Sequence, residues 1–311
     1  MLNKQIISVV VPVFNEIEVL PELIKRLEKV IIEQLQSYSI EVVFVNDGSS
    51  DGSRIFLSQL VSTDSKYRLI NLSRNFGHQA AVMAGLRTAK GSAIVITDAD
   101  LQDPPEVIPQ LIEEWRNGAE VVHAVRKTRH SESVVKRTTA KWFYRLINSL
   151  SEVPLQLDAG DFRLIDQKVV EVVSALPERS LYLRGLFSWV GFKQASVQFD
   201  RDARFAGTSK YSYRKMVGLG IDAILSFSEK PLKYIVRTSI AIVVLSIAMS
   251  VWLITSWVLG IGNPARGWLS LINLVLFLGG VQLLVLGVIG SYVGRIYRET
   301  KGRPIYVTDT D

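Results

Sequence analysis

The chain has 311 residues and is mildly basic, with 36 Lys and Arg against 30 Asp and Glu, and it contains no cysteine. That length suits one large domain or two smaller parts. The absence of cysteine excludes disulfides and thiolate metal sites, so any metal ion must bind oxygen or histidine ligands.

Apolar, β-branched runs alternate with helical patterns along the amino-terminal part of the chain. The runs predict strands over residues 6–13, 40–45, 68–72, 93–97, 120–125, 157–165 and 192–199. Helical patterns follow the first run at 19–27 and the third run at 77–89. This alternation predicts βαβ units and a largely parallel sheet, which is an α/β fold. No GxGxxG follows the first strand and no GxxxxGK[ST] occurs, which disfavours a dinucleotide-binding domain and a P-loop.

Polar residues follow four of the predicted strands. They are Asn15 and Glu16, then Asp47, then Ser73 to Asn75, and finally Asp98 and Asp100. Because the carboxyl ends of parallel strands meet at one edge of a sheet, where such folds bind ligands, we expect these side chains to converge. The segment NDGSSDGS around Asp47, taken by itself, favours a plain turn.

Asp98 and Asp100 end the fourth predicted strand, just before a Pro-Pro pair that opens a helix. Carboxylate oxygens favour a hard ion, Mg²⁺ or Mn²⁺, which commonly shares its ligands with substrate phosphates. His78 is the only histidine candidate near this cluster. The alternative is an acidic helix terminus, which explains Asp103 and Glu106 but not the two aspartates further upstream.

Two long stretches without charged residues lie near the carboxyl end, separated only by Arg266. Each exceeds the ~20 apolar residues that a spanning helix needs. They predict membrane spans over about 236–260 and 268–293, preceded by interfacial amphipathic helices at 211–233. Lys and Arg flank the spans on the side away from the intervening loop, which predicts that both termini are cytoplasmic in the cell (plasma) membrane.

The predicted organisation therefore has four parts. They are a cytoplasmic α/β domain at 1–210, the interfacial helices at 211–233, the two spans within 234–296 and a cytoplasmic tail at 297–311. Two basic runs, 126–145 and 201–215, are explained either as solvated helix faces or as anion sites at a membrane surface. The start of the chain lacks the features of a signal peptide.

Six motifs occur in an order that resembles one family. They are VPVFNE (11–16), VNDGSSDGS (45–53), SRNFGHQAA (73–81), TDADLQDPPE (97–106), GDFRLI (160–165) and RFAGTSKY (204–211). Together they resemble the inverting family-two glycosyltransferases of the GT-A fold. Within that family the chain is similar to polyisoprenyl-phosphate glycosyltransferases, which include dolichol-phosphate mannose synthases and bacterial bactoprenol glucosyltransferases. The resemblance implies a Rossmann-like GT-A catalytic domain followed by a two-helix transmembrane hairpin.

The resemblance also implies roles for individual residues. On the donor side, Pro12 and Glu16 would line the nucleotide pocket and Asp47 would contact the base or ribose. Asp98 and Asp100 would be the DxD pair that holds Mg²⁺ or Mn²⁺ and the diphosphate, with Gln102 as a further metal ligand. Arg201 would be a further basic partner. The implied catalytic set is Asp161, Arg126 and Arg137 near the phosphates, and Arg204 and Lys210 on a loop that closes over the substrates.

The implied reaction is transfer of a sugar to the phosphate of a polyprenyl lipid carrier by direct displacement. Glucose from UDP-glucose is the leading donor, and mannose or another sugar remains an alternative. A phosphate monoester has a second pKa of about 6, so the attacking oxygen is already ionised at neutral pH. Asp161 is therefore left with two open roles, base or orienting group, and Asp161→Ala is expected to abolish transfer while donor binding survives.

Three rival functions are less well supported by the sequence. A processive polysaccharide synthase usually carries QxxRW and needs a channel, whereas this chain has no QxxRW and only one predicted hairpin. A non-catalytic sensor or scaffold does not explain the intact motifs, and a nucleic-acid-binding domain would need interleaved aromatics, so no nucleic-acid partner is predicted. The resemblance also predicts a homo-oligomer, with a tetramer as the best guess.

Overall fold

The computed structural model describes residues 4–127, 159–179, 181–200, 230–259 and 267–309. A strand overlaps each of the predicted runs, which confirms the predicted alternation. The strands are β1 Ile6–Val13, β2 Ser39–Asn46, β3 Tyr67–Asn71, β4 Ala93–Ile96, β5 Val121–Arg126, β6 Ala159–Asp166 and β7 Gln194–Phe199.

In the part of the chain that the structure describes, six helices pack around these strands. They are α1 Leu20–Gln34, α2 Ser53–Thr63, α3 His78–Thr88, α4 Ile108–Arg116, α5 Gln167–Ala175 and α6 Leu183–Trp189. The predicted Pro-Pro helix start is a short 3-10 turn, Pro105–Val107, that leads into α4. Proline suits this position because its missing N–H would have no partner in the first turn.

The strands form one sheet in the order β3-β2-β1-β4-β6-β5-β7. The pairs β1–β2, β1–β4, β2–β3 and β5–β7 are parallel, whereas β6 runs antiparallel to both β4 and β5. The largely parallel sheet is therefore confirmed, with β6 as its one reversed strand among the described residues. This reversal brings the start of β6 to the edge at which β1, β2 and β4 end.

The register of β4 and β6 places two aspartates opposite each other. Ile96 pairs with Arg163 at the end of the ladder. Continuing the antiparallel register by two residues sets Asp98 opposite Asp161. Like charges placed directly opposite each other are destabilising, so a positively charged group between these carboxylates is expected.

Both faces of the sheet are covered by helices. One apolar cluster contains Val9, Phe162 and Leu164 with residues of α1, α2 and α4. The other contains Val10 and Ile165 with residues of α3, α5 and α6. Burial on both faces explains why the strands are continuous apolar runs rather than alternating ones.

Two long apolar helices follow the sheet domain, α7 Lys230–Val258 and α8 Trp268–Thr300. Within them, Leu232–Met249 and Phe277–Thr300 are long and apolar enough to cross a membrane. Apolar side chains such as Leu245 and Leu283 point outwards, with 67% and 71% of the residue exposed. Such exposure of apolar side chains is typical of helices that face lipid. Of the predicted interfacial segment 211–233, only residues 230–233 are described, and they belong to α7.

The tail after α8 returns to the sheet domain and lies against β3, the edge strand. Thr308 forms an antiparallel bridge with Leu72. The N–H of Ser73 donates to the carbonyl of Val307 at 2.9 Å. The tail thus covers the carboxyl end of this open edge, where β3 otherwise presents unpaired backbone groups. It also contacts the segment that follows β3 and leads into α3.

Candidate functional site

The turns that follow β1 and β2 are bound to each other. Asn15 adopts a left-handed backbone with φ 55°. Its side-chain oxygen accepts a hydrogen bond from the N–H of Ser50 at 2.8 Å. Its own N–H donates to Oγ of Ser49 at 3.1 Å. The predicted nucleotide-pocket residues Pro12 and Glu16 flank this connection, so the structure brings them to the same edge as Asp47.

Asp47 holds the neighbouring loop. Its carboxylate accepts hydrogen bonds from the backbone N–H groups of Phe76 and Gly77, at 2.7 and 3.0 Å. Burial raises the pKa of Asp47, although these two hydrogen bonds oppose the shift. The segment NDGSSDGS is therefore a turn, as its composition suggested, and its first carboxylate fixes the chain just before α3. The contact of Asp47 with a base or ribose stays a prediction.

Gly48 permits the close approach of these two loops. Its φ is +70°, and a Cβ atom on it would lie 2.6 Å from the carbonyl carbon of Arg74 and the nitrogen of Asn75. Real Cβ atoms do not approach backbone atoms that closely. A side chain at this position would therefore push the loop after β3 away from Asp47.

The DxD segment is a tight turn at the end of β4. The N–H of Gln102 donates to Oδ1 of Asp100 at 3.1 Å, and Leu101 between them has a left-handed backbone with φ 58°. A non-glycine residue in this conformation costs about 1–3 kcal/mol and is concentrated at functional sites. The structure therefore places Asp98, Asp100 and Gln102 in one turn at the end of β4, while the metal-binding role of all three stays a prediction.

His78 lies between the two opposed carboxylates. Its Nε2 atom is 2.8 Å from Oδ1 of Asp98, and its Nδ1 atom is 3.8 Å from Oδ2 of Asp161. Burial lowers the pKa of His78, but the charge and hydrogen bond of Asp98 outweigh that effect and, with the charge of Asp161, raise it to about 9. The imidazole is thus the positive group that the β4–β6 register requires. The sequence marked His78 only as a nearby histidine.

Asp161 is bound by arginine side chains. Arg184 from α6 forms a bidentate pair with it, with Nε 2.7 Å from Oδ1 and Nη2 2.9 Å from Oδ2. Burial by itself would raise the pKa of Asp161, but the hydrogen bonds and charge of Arg184 hold it well below its ordinary value. The carboxylate is therefore a poor proton acceptor near neutral pH. No motif in the sequence pointed to Arg184.

Arg163 supports the same carboxylate from the interior. Its Nη2 atom lies 3.7 Å from Oδ1 of Asp161 and donates to the carbonyl of Gly160 at 2.8 Å. Its guanidinium stacks over the ring of Phe187, 5.3 Å from the centroid. Burial lowers the pKa of Arg163 to about 10, so it is still charged at neutral pH.

Arg126 is brought to the site from the end of β5. Its Nη2 atom lies 3.9 Å from Oδ1 of Asp103 in the DxD turn. A Cβ atom on Gly160 would come within 3.2 Å of the same Nη2 atom, so the glycine leaves room for this guanidinium. The other predicted basic residues lie outside the described residues: Arg137, Arg201, Arg204 and Lys210.

Residues 8–173 match the sequence profile of glycosyl transferase family 2. The chain belongs to this family. The bactoprenol glucosyl transferase of Shigella phage SfX is 43% identical over 301 residues, covering 97% of this chain and 98% of that protein. A prophage bactoprenol glucosyl transferase homolog of Escherichia coli is 44% identical and covers 97% of each chain. The resemblance predicted from the six motifs is confirmed.

A solved structure of a glycosyltransferase is similar over most of this family 2 chain. It is a mannosyltransferase from Pyrobaculum calidifontis in complex with GDP-Man and Mn²⁺. The TM-score is 0.50 with 15% identity, covering 92% of this chain and 86% of that chain. At this identity the similarity concerns the fold, and it confirms the predicted GT-A architecture.

The carboxylates at the end of β4 in this family 2 glycosyltransferase are suitable ligands for a hard divalent cation. Asp98 and Asp100 supply carboxylate oxygens at the edge where the parallel strands end. Within the ranges that the structure describes, no three His, Asp or Glu side chains come close enough together to hold an ion by themselves. An ion held by two carboxylates takes its remaining ligands from water or substrate phosphates, which is the common arrangement for Mg²⁺.

Proposed function

We propose that this glycosyltransferase moves glucose from UDP-glucose to the phosphate of a polyprenyl-phosphate lipid, with inversion at the anomeric carbon. The observation that carries the proposal is the 43% identity to a bactoprenol glucosyl transferase across 97% of this chain and 98% of that protein. The match therefore includes the two apolar helices as well as the sheet domain. The arrangement of the site supports the same reaction class.

The donor binds where β1, β2 and β4 end. Asp98, Asp100 and Gln102 are proposed to hold Mg²⁺ or Mn²⁺ together with the diphosphate. Pro12, Glu16, Asp47 and Arg201 are the proposed contacts to the nucleotide sugar. When bound, the metal neutralises the charge that develops on the leaving diphosphate.

The acceptor phosphate attacks from the opposite side of the sugar. A new bond forms between a phosphate oxygen and the anomeric carbon, while the bond from that carbon to the diphosphate breaks and its electron pair leaves with the diphosphate. No proton has to be removed, because the attacking oxygen is ionised at neutral pH. Asp161 therefore serves as an orienting group rather than a base. Arg126, Arg137, Arg204 and Lys210 are proposed to bind phosphate oxygens, because arginine and lysine pair well with them.

The membrane part explains how the lipid reaches the site. We place α7 and α8 across the plasma membrane as a hairpin, with the sheet domain and both termini in the cytoplasm. The isoprenoid tail of the acceptor then stays in the bilayer while its phosphate reaches the edge of the sheet. A homo-oligomer, with a tetramer as the first hypothesis, would give the exposed apolar helices further packing partners.

The test is a product assay on the full chain in detergent or vesicles. UDP-glucose, GDP-mannose and other nucleotide sugars are offered with a short polyprenyl phosphate and either Mg²⁺ or Mn²⁺, and the lipid products are identified by mass spectrometry. We expect one hexose per lipid from UDP-glucose, and no product after removal of the metal with EDTA. A mannosyl product alone would change the proposed sugar, and a growing chain would indicate a processive enzyme. No lipid-linked sugar from any donor would contradict the proposal.

A further inference from the structure

Arg184 is the outer partner of a buried carboxylate at the candidate site. The bidentate pair with Asp161 leaves the arginine side chain 35% exposed and the aspartate side chain 14% exposed. Arg163 approaches the same carboxylate from the interior, where its own side chain is 2% exposed. A ligand that arrives at the sheet edge therefore meets the guanidinium of Arg184 before it meets the carboxylate.

Two guanidinium groups converge on one carboxylate in this cluster. Arg163 and Arg184 both contact Asp161, so these three side chains by themselves hold one more positive charge than negative. Guanidinium groups bind phosphate through charge-assisted and often bidentate hydrogen bonds. An arginine held in a fixed orientation by a bidentate carboxylate loses less side-chain freedom when it binds such a ligand. The arrangement is that of an anion site prepared in advance.

The position of Arg184 favours the acceptor over the donor. Asp161 faces Asp98 across the end of the β4–β6 pair, and His78 lies between them. Arg184 contacts Asp161 on the β6 side of this arrangement, whereas the DxD turn that is proposed to hold the diphosphate follows β4. The phosphate that Arg184 meets is then the one that approaches from the side opposite the leaving group.

A purely structural ion pair is the competing explanation. Partly buried ion pairs are weak evidence for stability, because desolvation offsets much of their attraction. The structural explanation also does not account for the location of the pair beside Asp98, at the edge where ligands of such sheets bind. It predicts changes in thermal stability but no selective change in the affinity for one substrate.

We propose that Arg184 binds the phosphate of the lipid acceptor, and that Asp161 is a positioning residue that orients Arg184 for this contact. This inference rests on the proposed function. Arg184 leaves the attacking oxygen ionised and directs it to the anomeric carbon. No additional reactant is needed, since the bonds that form and break are those of the displacement itself.

The test compares Arg184→Gln and Arg184→Lys in the full-length enzyme, with Lys168→Gln as the control. Lys168 forms an ion pair with Glu120, so its loss removes a charged contact outside the candidate site. The readouts are KM for polyprenyl phosphate, kcat, and the affinity for UDP-glucose measured calorimetrically without acceptor.

We expect Arg184→Gln to raise KM for the lipid phosphate about 10- to 100-fold, the usual effect of losing one hydrogen-bonded charged partner. Donor affinity should stay within about 2-fold of wild type, because no contact to the donor is removed. Arg184→Lys should recover part of the loss, since lysine keeps the charge but lacks the fork geometry. Lys168→Gln should match wild type in all three readouts.

Three results would overturn the inference. A weaker donor affinity with an unchanged lipid KM would assign Arg184 to the donor. A loss of thermal stability with unchanged kinetic constants would make the pair structural. If the wild-type enzyme forms no lipid-linked sugar, both the proposed function and this inference are wrong. If the wild type is active and Arg184→Gln has a normal KM for the lipid, only the inference is wrong.

Discussion

The two sides of the candidate site hold their aspartates in different ways. On the donor side, which consists of Asp47, Asp98 and Asp100, the carboxylate of Asp47 is bound by backbone N–H groups. On the acceptor side, which consists of Asp161, Arg163 and Arg184, the carboxylate is bound by guanidinium groups. Asp47, Asp98 and Asp100 are three carboxylates against the imidazole of His78, which pairs with Asp98, so the side proposed for the donor is negative and suited to a cation. Arg163 and Arg184 are two guanidinium groups against the carboxylate of Asp161, so the side proposed for the acceptor is positive. Under the proposed function, the same residue type would therefore serve opposite kinds of ligand.

The largest expected effect comes from Asp161→Asn, which removes the charge shared by Arg163, Arg184 and His78. Breaking a buried charged pair in this way should lower kcat/KM for the acceptor by about 1,000-fold or more. The affinity for the donor, measured by calorimetry, should be retained. Retained donor binding also shows that the variant is folded. Turnover close to that of wild type would remove Asp161 from the mechanism.

Asp98→Asn tests the donor side with the same isosteric change. We expect the metal concentration needed for half-maximal activity to rise at least about 100-fold, because one of the two carboxylates proposed to hold the ion is lost. Donor affinity should fall together with it, unlike in Asp161→Asn. If both variants changed the same kinetic constant by the same factor, the division into a donor and an acceptor side would be wrong.

The donor side was predictable from sequence because its signals are local. Asp47 and Asp98 each follow an apolar run directly, and the parallel-strand rule alone brings such positions to one edge. The strands themselves were predictable for a related reason. Burial on both faces makes each one a continuous apolar run, which stands out between the amphipathic helices.

The acceptor side was only partly predictable because it depends on pairing across the sheet. GDFRLI placed Asp161 by resemblance, but its position opposite Asp98 follows from the antiparallel direction of β6, which no local pattern encodes. Arg184 lies on α6, which is separate in sequence from β6, and its neighbours in sequence form no recognisable motif. The docking of the tail on β3 was missed for the same reason, because a backbone bridge such as Leu72–Thr308 leaves no trace in side-chain composition.

Gly48→Ala probes how tightly the donor-side loops are packed. A side chain at position 48 would be strained by the left-handed backbone, and it would also clash with the backbone of Arg74 and Asn75. We expect a loss of roughly 2–4 kcal/mol in stability and a weaker donor affinity. Gly52→Ala is a matched control, because Gly52 has φ +95° but nothing within 4 Å of the added Cβ atom. Thermal unfolding and calorimetry on the two variants separate backbone strain from the clash. Equal losses in both would show that the close approach at Gly48 has no energetic consequence.

The smallest effect concerns His123, which lies in β5 below the acceptor side. Burial and the nearby charge of Arg163 lower its pKa to about 4, although a hydrogen bond with Gln194 opposes the shift. In the unfolded chain the pKa of histidine is near 6.5, so the unfolded state binds more protons between these values. The stabilisation is therefore present above pH 6.5 and is lost as the pH falls towards 4. Between pH 7 and pH 5.5 this stabilisation should fall by about 1 kcal/mol.

The free energy of unfolding of the wild type and of His123→Gln, measured in detergent at both pH values, tests this expectation. The wild type should lose more stability than the variant. An equal loss in both proteins would mean that His123 takes up a proton as readily in the folded protein as in the unfolded chain, and that burial and the charge of Arg163 do not disfavour its charged form.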